Sequence, residues 1–254
     1  MTAVARSTCA RLDAVRGDDG GVNAGDDVLA LRDVSARFGR RTVLSEVTVA
    51  LQRGEVVGLR GANGSGKTTL LRVLAGVLRP SSGVRVQRPS VAFVAAAVMP
   101  PPVSAEHWLV GVRRHRSGWS DALEQLCFDG DRSAPCRVLS LGNFRKVLLA
   151  DALTSGADVV VLDEATVGLD DRGRAGVITL VEAARSAGTA IVQSEQDAEP
   201  IPLATRTWRA SNRTVHETTD DVSVTAAFIG PRDRLARLID AARQVGFVPD
   251  EQER

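Results

Sequence analysis

The stretch Gly61-Ala-Asn-Gly-Ser-Gly-Lys-Thr-Thr69 decides the fold of this chain. It fits the pattern G-x-x-x-x-G-K-[ST], in which glycines let backbone N–H groups curl around an anion. Lys67 is expected to reach the β and γ phosphates of a nucleotide, and the Thr68 hydroxyl is expected to hold Mg²⁺. The pattern predicts a phosphate-binding loop, whose candidate nucleotide contacts are Gly61, Asn63, Gly64, Ser65, Gly66, Lys67, Thr68 and Thr69.

The sequence on both sides of the loop supports this prediction. Residues 56–59 read Val-Val-Gly-Leu and indicate a buried strand, while residues 68–75 indicate a helix. A helix N-terminus adds free N–H groups and a favourable dipole to an anion site. Lysine at the phosphate position also stands out, because Lys67 and Lys146 are the only lysines among 32 basic residues. A compact ammonium suits that position, and a planar guanidinium does not replace it.

The composition is that of an ordinary globular protein. The 254 residues are 44% hydrophobic and 25% charged with a net charge of +1, so no bulk field favours nucleic acid or an acidic membrane. Cys9, Cys127 and Cys136 lack metal-ligand spacing and suggest a reducing compartment. No apolar run approaches the roughly 20 residues that span a bilayer. Residues 1–27 lack the apolar core of a secretory signal, so we expect a disordered tail.

Apolar alternation, helical spacing and turn residues predict the order of elements. Strands 28–38 and 42–51 are predicted to form an antiparallel hairpin around residues 39–41. The further predicted strands are 55–60, 91–94, 158–163 and 189–193, followed by a hairpin over 206–217. The predicted helices are 67–78, several within 104–155 with caps at Ser104, Ser120 and Ser140, and 171–187. Residues 79–83 are expected to break the first helix. Strands that alternate with helices favour an α/β fold with parallel central strands.

The predicted domain organisation has one main domain and a C-terminal appendage. The main domain spans residues 28–220 and contains a helical part at about residues 98–155, and the appendage spans residues 221–254. Within the appendage, residues 232–245 indicate an amphipathic helix. Its apolar face comprises Leu235, Leu238, Ile239 and Ala242. That face would pack on the main domain or on a partner.

A second motif follows farther along the chain. Residues 159–163 read Val-Val-Val-Leu-Asp and are followed by Glu164, so an apolar strand ends in two acids. With the loop at 61–69, this stretch resembles the Walker B and Walker A motifs of ATP-binding cassette (ABC) proteins, and the likeness covers about residues 28–217. The resemblance implies that Asp163 supports Mg²⁺ and that Glu164 polarises the attacking water. The alternative interpretation is two acids that cap a strand.

The resemblance also implies a fold and a dimeric site. The family's fold has a mostly parallel core sheet, an N-terminal antiparallel β subdomain and an inserted helical subdomain. Leu139-Ser-Leu-Gly-Asn143 resembles the family signature LSGGQ, with Leu141 and Asn143 as departures. By this match Ser140 and Gly142, at a helix N-terminus, grip the γ-phosphate of ATP held by the other subunit. The alternative is that Ser140 only caps its helix.

Two further positions match the family in part. Phe38 stands where the family stacks an aromatic ring on adenine, although it could equally belong to the core. Val167-Gly-Leu-Asp170 resembles the loop that links the two subunits of the dimer, with Val167 where Ser is common. Ala165 replaces the usual Pro.

Two departures bear directly on catalysis. Ala96 stands where the family has a Gln that touches Mg²⁺, and an alanine side chain can neither ligate nor hydrogen-bond. Glu195 stands where the family has its switch His. At about 4 Å and an effective dielectric near 20, an ionised carboxylate would repel the γ-phosphate by about 4 kcal/mol. Glu195 is therefore expected to be protonated, paired with an arginine or turned away from the nucleotide.

The resemblance implies the ATP-hydrolysing subunit of an ABC transporter, an exporter with separate membrane subunits. Its implied cofactors are ATP and Mg²⁺. Its implied partners are a multi-spanning membrane permease and a second ATPase subunit, in a homodimer or heterodimer, with no nucleic acid. Its implied location is cytoplasmic, peripheral on the inner face of the cell membrane. The alternatives are a non-hydrolysing regulatory cassette paired with a competent one, and a soluble ABC protein of translation or DNA repair.

Overall fold

The computed structural model of the protein describes residues 27–112, 118–195 and 203–218. The chain divides into two compact units, Met1–Thr219 and Asp220–Arg254, and all of the described residues lie in the first. The predicted helix over 232–245 lies outside the described residues, as does nearly all of the predicted tail over 1–27.

A small antiparallel sheet begins the fold. Strands β1 (Asp27–Phe38) and β2 (Arg41–Gln52) form the predicted hairpin, with Phe38 opposite Arg41 at the turn. A third strand, β4 (Ser82–Arg85), pairs antiparallel with the other edge of β1. The sequence prediction missed β4, since it read residues 79–83 only as a break. This strand is short and largely exposed, so it carries no alternating apolar pattern.

A six-stranded sheet forms the centre of the domain. Its strands are β3 (Val56–Arg60), β5 (Val91–Val94), β6 (Val159–Asp163), β7 (Ala190–Ser194), β8 (Arg206–Ser211) and β9 (Thr214–Thr218). The spatial order is β5-β6-β7-β3-β8-β9, and all neighbours are parallel except the β8–β9 hairpin. Strands β3, β6 and β7 are mostly apolar and almost entirely buried, as expected for parallel strands with covered faces. The predicted α/β fold class is confirmed.

Five α-helices lie within the described residues. They are α1 (Lys67–Leu74), α2 (Ala105–Val112), α3 (Trp119–Gln125), α4 (Leu141–Leu153) and α5 (Asp171–Ser186), with a 3₁₀ turn at Cys136–Val138. Two predicted caps are confirmed. The Ser104 hydroxyl accepts a hydrogen bond from the His107 N–H at 3.1 Å, and the Ser140 hydroxyl accepts one from the Asn143 N–H at 3.2 Å.

Two details of the helix prediction were wrong. The first helix ends at Leu74 rather than at residue 78, because Gly76 adopts a φ of +71° that a helix cannot continue through. Ser120 is not a cap, since it lies inside α3 and Gly118 precedes the helix. The Ser120 hydroxyl instead accepts a hydrogen bond from Arg132 at 2.9 Å, a contact to a distant residue that no local pattern encodes.

The central sheet separates two apolar cores. Side chains that alternate along β6 point to opposite faces, so Val160 and Leu162 join the core shared with helices α2 to α5. Val159 and Val161 join the other core, which α1 and the antiparallel sheet complete. With both faces of the sheet covered, its carboxyl edge remains for the loops that carry polar side chains.

Candidate active site

The carboxyl ends of four parallel strands meet at one edge of the central sheet. Leu59 of β3 lies beside Ser194 of β7, and Ser194 lies beside Asp163 of β6. On the far side of β6, Val94 pairs with Leu162, so the residue after β5 flanks Asp163. The predicted phosphate loop and the two predicted acids are therefore brought together, at the edge where α/β sheets bind ligands.

The phosphate loop connects β3 to α1 and requires glycine at both of its ends. Gly61 has a φ of +145°, and a Cβ there would stand 2.4 Å from the Ala210 carbonyl oxygen. Gly66 has a φ of +108°, and its Cβ would stand 3.0 Å from the Leu44 side chain. The backbone passes close to neighbouring strands at both positions. Any residue other than glycine would therefore be strained and crowded there.

Lys67, at the start of α1, reaches back into this loop. Its ammonium donates hydrogen bonds to the carbonyl oxygens of Gly61 and, at 3.4 Å, Ala62. Its side chain is buried, which is unusual for lysine. The Ser65 hydroxyl is also buried and has no hydrogen-bond partner among the described residues. The other predicted contacts in this segment are the exposed Asn63 and Gly64 and the half-buried Thr68 and Thr69.

Asp163 ends β6 and is 1% exposed. One carboxylate oxygen, Oδ1, accepts a hydrogen bond from the Ser194 hydroxyl at 2.9 Å. The other, Oδ2, is buried without a hydrogen-bond partner in the described part of the chain. A buried carboxylate oxygen without a donor fits Mg²⁺, which prefers oxygen ligands, and the Thr68 hydroxyl could supply a second one.

Ser194 also fixes the residue after Asp163. The Glu164 N–H donates to the Ser194 carbonyl oxygen at 3.1 Å and to its hydroxyl at 3.2 Å. Glu164 adopts a φ of +46°, which is uncommon for a residue with a Cβ and recurs at functional sites. The sequence analysis missed Ser194. No local pattern distinguishes this serine, because its partners lie on the neighbouring strand about 30 residues away in the chain.

Glu195 follows β7 and is 2% exposed. Its Oε1 accepts a hydrogen bond from the Gln193 side-chain amide at 2.7 Å. Residues two apart on a strand share a face, which brings these side chains together. The sequence analysis predicted that this acid is protonated, is paired with an arginine or points away from the nucleotide. It did not consider the glutamine.

Arg145 is a second functional candidate that the sequence analysis missed. Its guanidinium donates to the Ala95 carbonyl oxygen at 2.9 Å and to the Ala96 carbonyl oxygen, and it is buried. Burial lowers the pKa of this arginine, and the nearby charges of Asp163 and Glu164 oppose that shift. No local sequence signal marks Arg145, because its contacts are with a segment about 50 residues away in the chain.

The predicted signature residues lie at the start of α4. Ser140 is an exposed N-cap, and Leu141 is exposed too. A Cβ on Gly142 would stand 2.8 Å from the Gly168 carbonyl oxygen, so this glycine packs against the loop that follows β6. Helix capping therefore accounts for Ser140, and close packing against Gly168 accounts for Gly142.

Phe38 does not belong to the core. Its side chain is 48% exposed at the end of β1. A cleft of about 250 Å³ lies between the start of β2, the phosphate loop and the β8–β9 turn, and it is lined by Arg41, Thr42, Val43, Gly64, Ser65, Asn212 and Arg213. A side chain that is about half exposed leaves part of its aromatic ring available for stacking.

Known proteins share both the sequence and the fold. The ABC transporter family profile matches residues 44–167. The zinc import ATP-binding protein ZnuC 2 of Aliivibrio fischeri is 33% identical over 177 residues, which are 67% of this chain and 73% of that protein. The cytochrome c biogenesis ATP-binding export protein CcmA of Gluconobacter oxydans is 34% identical over 178 residues, which are 69% of this chain and 83% of that protein.

Solved structures agree at the level of the fold. An ATP-binding subunit of an ABC transporter superposes with a TM-score of 0.67 at 20% identity, over 86% of this chain and 93% of that one. The dimeric bacterial ABC transporter cassette MJ0796 superposes with a TM-score of 0.65 at 19% identity, over 75% of this chain and 97% of that one. The inserted helical subdomain and the antiparallel β subdomain expected from the resemblance are thus confirmed.

The fold and the site together define an ATP-binding cassette ATPase. The chain belongs to the ABC transporter family, as an ATP-binding subunit that hydrolyses ATP to power transport. Subunits of this family work with membrane permeases and dimerise. Among the described residues, no helix is long and apolar enough to cross a membrane.

Proposed function

We propose that this chain carries out the hydrolytic step with Asp163, Glu164 and Lys67. The observation that carries the proposal is the buried Oδ2 of Asp163, which lacks a hydrogen-bond donor at the same sheet edge as the phosphate loop. A buried carboxylate without donors is costly, and a bound cation would offset that cost. Bound Mg²⁺, held by Asp163 and Thr68, would polarise the terminal phosphate and neutralise part of its charge.

Each residue then has a separate task. Lys67, already held inside the loop, shifts from the carbonyl groups of Gly61 and Ala62 to the β and γ phosphates. Backbone N–H groups of residues 61–69 bind the remaining phosphate oxygens. Glu164 accepts a proton from the attacking water, and the two hydrogen bonds from its N–H to Ser194 fix the backbone that carries it.

The complete site is proposed to need two subunits. Ser140 and Gly142 at the start of α4 would donate to the γ-phosphate of ATP bound to the other subunit. The exposed ring of Phe38, at the end of β1, would stack on adenine. The partner is a second copy of this chain or a related ATPase subunit.

The proposed membrane partner is a multi-spanning permease that holds the ATPase on the inner face of the cell membrane. The domain of residues 28–220, with its helical part at about 98–155, would dock there. The relatives include a zinc import protein and a cytochrome c biogenesis export protein, so their names support no one direction of transport. Co-fractionation with membranes when expressed from its operon, and release from them when expressed alone, would support this partner.

A second candidate is a regulatory cassette that binds ATP but hydrolyses it very slowly. Two observations favour it. Ala96 brings no side-chain ligand to the edge where Mg²⁺ would lie. Glu195 brings a buried carboxyl group to the end of β7, next to Ser194, where the family has a histidine donor.

Three proteins decide between the candidates. Phosphate release at saturating Mg-ATP and binding of a fluorescent ATP analogue are measured for the parent, Lys67→Ala and Glu164→Gln. We expect Lys67→Ala to weaken binding at least about tenfold, or about 1.4 kcal/mol. Glu164→Gln should keep ATP bound and lose turnover, because it removes the base and leaves the phosphate loop intact. Single-turnover cleavage by the parent separates a slow enzyme from a regulatory cassette, and an active Glu164→Gln would refute the assigned base.

A further inference from the structure

Arg145 joins two parts of the chain that the proposed mechanism treats separately. It lies in the second turn of α4, the helix that Ser140 caps. Its guanidinium reaches the carbonyl oxygens of Ala95, at 2.9 Å, and Ala96. The side chain is 6% exposed, so these contacts are made away from bulk water.

The two carbonyl groups stand at the hydrolytic edge. Strand β5 pairs with β6 so that Val94 lies opposite Leu162, and the next residues of the two strands are Ala95 and Asp163. Ala95, Ala96 and Ala97 have no polar side chain, so this segment can be held only through its main chain. A planar guanidinium presents its donors in a fixed fork and so holds two carbonyl oxygens in one geometry, whereas an ammonium carries its donors on a flexible stem.

The charge of Arg145 is as relevant as its hydrogen bonds. Asp163 and Glu164 at the end of β6 act on the guanidinium electrostatically. The other ionisable groups assigned to this edge are Lys67 from α1 and Glu195 after β7. Asp163 and Glu164 are the two acids that act on Arg145, so removal of this cation changes the field in which a divalent ion would bind beside them.

We propose that Arg145 is a positioning residue for ATP hydrolysis that fixes the main chain at Ala95–Ala96 beside Asp163 and sets the local charge there. Through α4 it ties this edge to Ser140, which would serve the ATP of the other subunit. The inference rests on the proposed roles of Asp163 and Ser140. Arg145 itself contacts no substrate and acts only through the main chain and the local charge.

Two substitutions separate the hydrogen bonds from the charge. Arg145→Lys keeps a cation but loses the fork that spans two carbonyl groups, whereas Arg145→Met loses both and keeps an apolar stem of similar length. Both variants are expected to lower the rate of phosphate release about tenfold or more, because the edge is no longer held. Arg145→Met alone should also bind Mg²⁺ more tightly, since a repelling charge near Asp163 is gone.

The deciding measurement is the Mg²⁺ concentration that gives half-maximal binding of a fluorescent ATP analogue. It is measured in the Glu164→Gln background, so that no turnover is required. We expect Arg145→Met to lower this concentration about threefold or more and Arg145→Lys to leave it near the parent value. Simple loss of folded protein would reduce the amplitude of the signal and would not move the midpoint.

Lys146→Met is the matched control. Lys146 is the next residue of α4 and is also buried, but its ammonium donates to the Cys127 carbonyl oxygen at 2.8 Å and pairs with Asp170 at 3.4 Å. This variant should lose stability and leave the Mg²⁺ midpoint unchanged. The inference is overturned if Arg145→Met keeps the parent midpoint, or if Lys146→Met moves it equally. A parent without turnover would refute the hydrolytic proposal, while the binding midpoint would still test Arg145.

Discussion

Single hydroxyl and carboxyl groups set the chemistry at the sheet edge. The Ser194 hydroxyl donates to Asp163 and also accepts from the Glu164 N–H, so one buried side chain fixes both acids. The donated bond leaves only one oxygen of Asp163 open, and that oxygen is the one available to a cation. Ser194 is fully buried, which keeps water from competing for these contacts.

Substitution of Ser194 by alanine tests this arrangement. Ser194→Ala removes the hydrogen bond to Asp163 and leaves a second carboxylate oxygen buried without a donor, which costs about 1–3 kcal/mol. We expect lower thermal stability and phosphate release reduced about tenfold or more, with Mg-free ATP binding unchanged. Ser194→Thr, which retains the hydroxyl, is the control. Full activity of the alanine variant would show that Asp163 needs no such support.

Glu195 gives a second test at the scale of one residue. If its carboxyl group faces bound ATP, Glu195→His should raise steady-state phosphate release, because a donor replaces a group that opposes the γ-phosphate. Glu195→Gln keeps the shape and removes the charge, so it should raise ATP affinity with a smaller gain in rate. Turnover that is unchanged in both variants would mean that the hydrogen bond with Gln193 holds the side chain away from the nucleotide.

At the scale of elements, the start of α4 fits against the loop after β6. The helix N-terminus that would serve the partner's ATP touches the segment that leaves Asp163 and Glu164, through Gly142 and Gly168. Loop residues 165–170 end at Asp170, whose side chain accepts from the Gly173 N–H at 3.1 Å and caps α5. Helices α4 and α5 are thus joined at the same corner as the proposed catalytic acids, Asp163 and Glu164.

Gly142→Ala tests this packing. The new Cβ would meet the Gly168 carbonyl oxygen at 2.8 Å, so the helix start and the loop must separate by a few tenths of an ångström. We expect ATP-dependent dimerisation, measured by size-exclusion chromatography in the Glu164→Gln background, to weaken while ATP binding to the monomer is retained. Leu141→Ala, on the exposed neighbouring position, controls for loss of apolar surface. Equal dimerisation of Gly142→Ala and parent would contradict the packing argument.

At the scale of the whole molecule, one arginine links the sheets. Arg206 of β8 pairs with Glu55 at 2.8 Å and Glu217 at 2.5 Å, and it also donates to the Ala50 carbonyl oxygen in β2 at 3.5 Å. The hydrogen bonds from Arg206 lower the pKa of Glu217 below its ordinary 4.5, and burial only partly opposes them. Glu55 is 8% exposed, and Arg206 is its ion-pair partner.

The Arg206 pairs predict a pH-dependent contribution to stability. Because the folded state lowers the pKa of Glu217, its contribution is fully present above the ordinary value of 4.5 and is lost as pH falls through the lower folded value. Arg206→Met should lower the free energy of unfolding by about 3 kcal/mol at pH 7, mainly by leaving buried Glu55 unpaired. Urea unfolding at pH 7 and pH 3 measures this, and the difference between parent and variant should shrink at pH 3. A constant difference would exclude ionisation as its source.

The sequence by itself determined the features that local patterns encode. The glycine spacing of residues 61–69 requires a loop at a helix start, and the apolar run before Asp163 requires a buried strand, because φ preferences and strand periodicity act over a few residues. The β1–β2 and β8–β9 hairpins followed from alternation and turn residues in the same way. Strand β4 escaped prediction because an exposed edge strand leaves no such alternation.

Only the tertiary structure decided which side chains support the site. Ser194 on β7 donates to Asp163 on the neighbouring parallel strand β6. Arg145 reaches Ala95 and Ala96 from a helix about 50 residues away in the chain. Nothing within a short window distinguishes these residues from an ordinary strand serine or helix arginine. Their partners are set by strand order and by the packing of α4 on the sheet. Those contacts form between distant segments, so the chain must fold before either side chain has anything to hold.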